Sequence, residues 1–497
     1  KIIVFDEGCK AQANPYLYID EYDVKASHGA SVGKIDEDHL YYLMSRGLSK
    51  QDAMHTSHLW LFLTCFRIYQ CRIFKRKIFR CFERKGGTIM LDVLKIREDF
   101  PMLKKTMHGK PLIYLDNGAT TLKPQCVIDS VCDYLTNYSG NAHRGDYDLS
   151  HEVDTKFEYV RSIVADFIHC KPEEVVYTYG SSDSLNMVAF GYGMTHLKEG
   201  DEVLITLAEH ASNTLPWFEV AKHTGAIIKY IDLDEEGKSD FRKMSKKAVT
   251  EHTKIISLAQ ITNVLGYLAP IKEICNFAHE HDIIVCVDGA QSAPHHAVDV
   301  QDLDVDFFAF SGHKMCGPTG VGVLYGKYHL LEEMTPTRFG GGSNARYNSC
   351  GLVKLKNAPT KFETGTPNIE GVIGLGSAIE YLQNIGMKNI EEHEAMLRKY
   401  AVEKMKELDN IEIYNENGVG AIAFNIKNVF SQDGASLFNT YGIAIRAGQH
   451  CAKILDEYLH VSQTLRASFY FYNTKEEIDQ FIEVCKKGDD FLDAFFG

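Results

Sequence analysis

The sequence lacks paired cysteines, long apolar runs and any excess of positive charge. Its 13 cysteines are an odd number, none stands in a CxxC pair, and no spacing matches a metal site. No secretory signal is recognised, so the expectation is a reduced, cytoplasmic protein. Its thiols should be mostly free and mostly small buried hydrophobes. The apolar run Leu59-Trp-Leu-Phe-Leu-Thr-Cys-Phe is far short of the roughly 20 residues that span a bilayer. Lys and Arg number 53 against 67 Asp and Glu, a net charge of −14. That argues against general nucleic-acid binding, which needs a basic surface, but leaves room for a small anion in a local pocket. No internal repeat or low-complexity tract is present.

What remains is 497 residues of ordinary globular composition, 45% hydrophobic and 24% charged. At about 100–200 residues per domain this is enough for two to four domains. Three zones follow one another. In residues 1–53, Tyr16 to Ala26 alternates in part like a strand, Ser27-His-Gly-Ala gives turn signals, and Ile35 to Leu48 reads as a short helix. Asp36 and Glu37 stand near the positive N-terminus of that helix. The zone is too short to build a core alone. In residues 54–89, eight basic residues from Arg67 to Lys85 crowd among Ile and Phe. The alternatives are a basic amphipathic membrane helix and a translated spacer, and the spacer is favoured. Lys85-Gly86-Gly87 can be encoded by a purine-rich ribosome-binding sequence, and Met90 follows at a start-site distance. The expectation is read-through from an upstream gene, with the functional protein beginning at Met90.

Residues 90–497 alternate apolar strand-like runs with helical patterns. The runs Glu202-Val-Leu-Ile-Thr, Ile227-Ile-Lys-Tyr-Ile, Thr253-Lys-Ile-Ile-Ser-Leu-Ala and Ile283-Ile-Val-Cys-Val-Asp predict βαβ units and an α/β fold with a mostly parallel sheet flanked by helices. Beyond about residue 380, Met387 to Leu408 reads as a long charged helix, followed by short strands and a last helix of a smaller α+β domain. The division expected is 108–380 for the large domain, with 90–107 and 381–497 forming the small one.

Chemistry concentrates where strands end. Phe307-Phe-Ala-Phe-Ser-Gly-His-Lys314 runs a hydrophobic strand into a Gly-rich loop. Lysine is costly to desolvate there, and a neutral lysine is the group that forms Schiff bases. Alone, a lysine after a strand is an ordinary surface residue. Asp288, at the end of another strand, supplies the carboxylate that a pyridinium nitrogen needs, and strand ends face the usual ligand crevice. Val175-Val-Tyr-Thr-Tyr-Gly-Ser181-Ser182 is strand, turn and helix start, a place for a phosphate as well as for ordinary capping. Arg446-Ala-Gly-Gln-His450-Cys451 is a polar loop, and Arg446 and His450 are positioned to favour a thiolate on Cys451.

Together with Tyr114-Leu-Asp-Asn-Gly-Ala-Thr-Thr, His143-Arg-Gly, Glu209-His210, Asn263-Val-Leu-Gly, Phe362-Glu-Thr-Gly-Thr-Pro and Arg466-Ala-Ser, these motifs make residues 90–497 resemble a class V, fold-type I pyridoxal-phosphate (PLP) enzyme of the SufS-type (group II) cysteine desulfurases. The resemblance implies that Lys314 carries PLP, Asp288 pairs with its ring nitrogen and Gln291 with its phenolic oxygen. His210 would stack on the ring and move protons near neutral pH. Ser181, Ser182, Ser311 and His313 would hold the phosphate. Thr366 would reach the phosphate of a second subunit, implying a homodimer. Asn263, Arg446 and Arg466 would hold the carboxylate of L-cysteine, and Cys451 would accept its sulfur before passing it to an acceptor protein of the Suf system. No nucleic acid or membrane is implied.

Residues 1–53 resemble the C-terminal tail of the SufB/SufD scaffolds through Asp20-Glu-Tyr-Asp-Val-Lys-Ala-Ser-His28-Gly-Ala-Ser-Val-Gly and Leu43-Met-Ser-Arg-Gly-Leu, with His28 at the position linked to cluster assembly. A severed fragment without a role is the plainer expectation. Iron–sulfur cluster assembly is therefore the expected destination of the sulfur. The chain departs from the desulfurase pattern at Ser181-Ser-Asp183, at Glu209-His-Ala-Ser, where a second histidine is lost, and at Arg446-Ala-Gly-Gln449. Selenocysteine lysis, another class V reaction and a scaffold fusion are the competing readings.

Overall fold

The computed structural model describes residues 91–142, 145–231, 233 and 248–488, together with 2–3 and 32–33. The chain divides into two units, Lys1–Ile89 and Met90–Gly497. In the first, Ile2–Ile3 pairs in parallel with Val32–Gly33. The strand and helix expected within 16–48, His28, the basic stretch 54–89 and His143 lie outside the described residues.

The second unit is built on seven strands: β1 (Val175–Thr178), β2 (Glu202–Thr206), β3 (Ile227–Ile231), β4 (Thr253–Ala259), β5 (Ile284–Asp288), β6 (Phe307–Ser311) and β7 (Gly322–Gly326). They lie in the order β1-β7-β6-β5-β4-β2-β3. All pairings are parallel except those of β7, which runs against both β6 and β1. Both faces of this sheet are covered, which is why its strands are near-continuous apolar runs rather than alternating ones. In β6, Phe308 and Phe310 enter the core on one face while Phe307 and Ala309 enter the core on the other. All three phenylalanines are fully buried, contributing roughly 1.5–3 kcal/mol each.

Helices α1 (Gln125–Asn137), α2 (Asp148–Ile168), α3 (Ser181–Val188), α4 (Leu215–Thr224), α5 (Ile271–His279) and α6 (Ile369–Ile385) surround the sheet. The smaller part has α7 (Met387–Met405), α8 (Ser431–Thr440), α9 (Lys475–Lys486) and an antiparallel sheet of β8 (Ile411–Ile413), β9 (Ile422–Ile426), β10 (Arg446–Gly448) and β11 (Thr464–Ala467) in the order β8-β9-β11-β10. The long charged helix thus ends at Met405, short of Leu408. Residue 380 lies inside α6, and the break falls at Gly386, whose φ of +93° separates α6 from α7. The chain also crosses between the two cores near its start. Phe100 is buried in the core of the large sheet, whereas Ile113 and Leu115 belong to that of the small one. Ile113–Tyr114 pairs in parallel with Ile443–Ala444.

Candidate active site

Asp288 ends β5 and Ser311 ends β6, so the sheet delivers both to one edge, the carboxyl-end crevice of an open α/β sheet. A cavity of about 430 Å3 lies there. Lys314 enters it from a single 3-10 turn, Gly312–Lys314, directly after β6. Burial pulls its ammonium down to about 8, Asp288 opposes that shift, and the charges of Arg466 and Arg446 add to it. A fraction of the amine is therefore free near neutral pH, the form that reacts with carbonyls. Asp288 is buried and accepts the Ala290 N–H at 2.9 Å. No cation among the described residues forms an ion pair with it, and burial pushes its carboxyl up despite Lys314.

The α3 end of the cavity is a ring of hydroxyls. Gly180, at φ +145°, turns the chain from β1 into α3. The Ser181 N–H donates to Ser311 Oγ at 2.7 Å, and Ser311 Oγ donates to Ser181 Oγ at 2.9 Å. Ser182 Oγ lies 2.6 Å from Ser212 Oγ, so a hydroxyl stands close to where the second histidine is missing. Asp183 closes the turn by accepting from Tyr179 N at 3.0 Å and from Arg338 Nη2 at 2.9 Å. His313 lines the same end, lowered to about 4 by burial and by Lys314 and Lys123.

His210 follows β2. Its Nδ1 accepts the Ser212 N–H at 3.1 Å, so the neutral ring carries its proton on Nε2. Burial, then Lys314, Arg466 and Arg446, push this imidazole down to about 4. The expectation of a near-neutral histidine is thereby corrected: the cationic surroundings hold the ring neutral, with a donor at Nε2. Gln291 lines the cavity with its Nε2 donating to Gly118 O at 2.9 Å.

Arg446 and Arg466 are direct cross-strand partners on β10 and β11. Like charges in such a pair repel unless an anion neutralises them. Arg466 is almost fully buried, donating from Nη1 to Asn263 O at 3.1 Å and meeting Asp116 at 3.4 Å through Nη2; its Nε has no partner. Arg446 lines the cavity and forms no ion pair among the described residues. A substrate carboxylate is the anion this pair suits.

Cys451 is exposed and lines the cavity. His450 and Cys451 both sit in the left-handed region, at φ +48° and +59°, which for non-glycine residues is strained backbone. Two hydrogen bonds hold it: Asn263 Nδ2 to His450 O at 2.7 Å and Ala211 N to Cys451 O at 2.7 Å. His450 itself does not assist the thiol by charge, contrary to the sequence reading. Its Nε2 faces Thr464 O and Oγ1, both at 3.0 Å, and burial first, with Arg466, lowers it to about 3. The cations left near Cys451 are Arg446, Arg466 and Lys314. Thr366 is exposed beside Gly365 and does not line the cavity.

Three residues had gone unassigned. Asp116 neutralises Arg466. Glu209, buried and raised to about 7 chiefly by desolvation, accepts from Thr206 Oγ1 at 2.6 Å and Asn213 Nδ2 at 2.7 Å, anchoring the His210 turn. Ser212 fixes the His210 tautomer. All three lie in or beside quoted motifs, which is the signal that pointed to them.

PLP fits these residues. The hydroxyls at the start of α3 suit its phosphate, the buried and unpaired carboxylate of Asp288 suits its ring nitrogen, and the Lys314 amine suits its aldehyde.

The profile of the aminotransferase class-V family matches residues 113–481, and that of the SUF-system SufBD core domain matches residues 1–56. A probable cysteine desulfurase of Halalkalibacterium halodurans is 45% identical over 81% of this chain and 99% of its own. A cysteine desulfurase of Haloferax volcanii is 42% identical over 79% and 96%. The crystal structure of the cysteine desulfurase CsdA of Escherichia coli superposes with a TM-score of 0.75 at 36% identity, covering 81% of this chain and 99% of that one. Among the described residues no helix is long and apolar enough to cross a membrane, and no cluster of three or more His, Cys, Asp or Glu could hold a metal.

Proposed function

We propose that this chain, which belongs to the aminotransferase class-V family and stands with its cysteine desulfurases, converts L-cysteine to L-alanine and retains the sulfur as a persulfide on Cys451. The observation that carries this reading is one cavity lined by Lys314, Asp288, the Arg446–Arg466 pair and an exposed Cys451.

Bound PLP supplies an electron sink that loosens the α-proton and the Cβ–Sγ bond of cysteine. The arginine pair seats the substrate carboxylate, with Asn263 beside it. Lys314 Nζ, lowered to about 8, takes the α-proton and can return it. His210 offers its Nε2 proton from a ring that its surroundings keep neutral. The Cys451 thiolate forms an S–S bond with the substrate sulfur as the Cβ–Sγ bond breaks. The electron pair stays with the organic fragment, which gains a proton to become alanine. Ser181, Ser182, Ser311 and His313 would hold the phosphate, and Gln291 would serve the ring oxygen.

The finer assignment is a SufS-type, cytoplasmic homodimer. Exposed Thr366 would complete the partner's phosphate site, and the persulfide would pass to a Suf acceptor protein for iron–sulfur assembly. The SufBD match of residues 1–56 supports that destination. Residues 1–89 are read as carried over from an upstream scaffold gene, a reading supported by the division between Ile89 and Met90. Intact mass of the native protein tests this, and a native chain beginning before Met90 refutes it.

The reaction is tested with L-cysteine and purified enzyme. Alanine and a Cys451 persulfide should form in equal amounts in the first turnover. Cys451→Ala should abolish both while the visible PLP absorbance stays. Deleting residues 1–89 should leave turnover intact. Full turnover in Cys451→Ala, or its loss in the deletion, overturns the assignment.

A further inference from the structure

The loop after Tyr114-Leu-Asp-Asn-Gly ends in Thr120-Thr121-Leu-Lys123, just before α1. Lys123 is a partly buried lysine that the reaction described above does not use. Its ammonium has three N–H groups. One meets Thr120 Oγ1 at 3.3 Å, one His313 O at 3.0 Å, and one the carbonyl of Thr121. Every acceptor is a neutral oxygen, and no carboxylate among the described residues pairs with it. Keeping a desolvated cation without an acid partner is costly. Burial accordingly draws the group down to about 8. For fold stability alone, an apolar side chain of similar length would do better.

The position of the clamp explains why it is there. His313 O, the carbonyl of the peptide bond that leads into Lys314, also receives the Thr121 N–H at 3.0 Å, Thr120 Oγ1 at 3.0 Å and Thr121 Oγ1 at 3.2 Å. Two residues after Lys314, the Cys316 N–H donates to Thr121 Oγ1 at 2.8 Å. Cys316 itself sits at φ +65°, a strained conformation that this bond helps to hold. The turn carrying Lys314 is thus gripped on both sides by one loop. The same loop receives Gln291 Nε2 on Gly118 O and anchors the Gly118 N–H on Ser468 Oγ at 2.7 Å, next to Arg466.

We propose that Lys123 is a positioning residue for Lys314: with Thr120 and Thr121 it clamps the His313 carbonyl and fixes the turn from which the Lys314 amine reaches the substrate α-carbon. The inference rests on the desulfurase reading. Catalytic distances tolerate little slack, since a misplacement near 1 Å can cost about a hundredfold in rate. The neutral acceptors let the clamp act through geometry, because Lys123 forms no bond to Lys314 itself.

The test compares Lys123→Met and Lys123→Arg with the wild type as PLP-loaded full chains. Readouts are kcat and KM for L-cysteine, the pH midpoint of the visible absorbance, and Tm. In Lys123→Met the expected result is a fall in kcat of about tenfold with KM within about twofold, since the carboxylate site is untouched. The midpoint should move by about half a pH unit or more as the amine leaves its set position. Lys123→Arg should recover kcat to within about threefold of wild type, because it keeps charge and donors. A lower Tm with unchanged kcat and midpoint would show a purely structural lysine and overturn the proposal. If Lys123→Met does not fold, Thr120→Val removes another donor from the same carbonyl; a drop in kcat with a moved midpoint supports the clamp, and no change overturns it. Failure of the wild type itself to yield alanine from cysteine would sink the desulfurase reading instead.

Discussion

Ala211 N–H donates to the carbonyl of Cys451 at 2.7 Å, which places Cys451 one peptide away from His210. Asn263 holds the preceding carbonyl, of His450, at 2.7 Å. Both residues of the small-sheet loop are left-handed and are kept so by groups of the large sheet. Replacing Asn263 with Leu should release this loop and slow persulfide formation about tenfold in a single turnover, with the visible PLP absorbance retained. Unaltered single-turnover rates would show that the tether is idle.

Asp288→Asn keeps shape and burial but removes the negative charge that, on the proposed reading, would hold the ring nitrogen of PLP protonated. A loss of kcat of about a hundredfold or more is expected, at full PLP occupancy measured by absorbance. An active Asn variant would mean that another group supplies the charge.

The strands and the positions of Lys314, Asp288 and Ser181 were legible in the sequence because apolar runs ending in a polar residue betray buried strand ends. The protonation states were not. His210 looked like a near-neutral shuttle and His450 like a cationic helper, but burial, with Lys314, Arg466 and Arg446 beside the first and Arg466 and Arg446 beside the second, keeps both uncharged. Sequence spacing carries no record of desolvation. Nor does it show that Arg446 and Arg466 are cross-strand neighbours, since 20 residues separate them and only strand register brings them together. Nor does the sequence show where the long helix begins: α6 runs through residue 380 to Ile385, and the turn into α7 falls at Gly386.

Three imidazoles, His210, His313 and His450, have folded pKa values of about 4, 4 and 3, below the ordinary 6.5. The unfolded chain therefore binds more protons between pH 6.5 and about 4, and their contribution to stability is lost as pH falls through that window. Glu209, raised to about 7, works in the opposite sense. The histidine part is read as a difference: for the PLP-stripped chain, the urea midpoint should drop more from pH 7 to 5 in the wild type than in His313→Asn. Equal drops would refute the shift.

Glu363 receives Arg161 Nη1 at 2.8 Å, Arg161 Nη2 at 2.9 Å and the Tyr177 N–H at 2.8 Å, with both side chains at least nine-tenths buried. Glu363→Ala leaves the buried guanidinium with Glu158, a half-exposed carboxylate 2.9 Å from its Nε, as its remaining acid partner, and should cost about 3 kcal/mol. Combining Glu363→Leu with Arg161→Met should return most of it, as read by chemical denaturation. A single-variant cost near zero would mean that Glu158 alone satisfies the guanidinium.

The one strand that runs backwards, β7, separates β1 from β6. Gly322 sits opposite Thr178 on one side and Ser311 on the other, and a Cβ on it would come within 2.4 Å of Gly180 Cα. With no side chain in the way, the Gly180 turn folds down over β7, and that close approach is what lets Ser181 reach across the strand to Ser311 at 2.7 and 2.9 Å. Evolution can change the cargo of such a crevice by editing its loops, but the contact between its two serines is locked by a residue that has no side chain to vary.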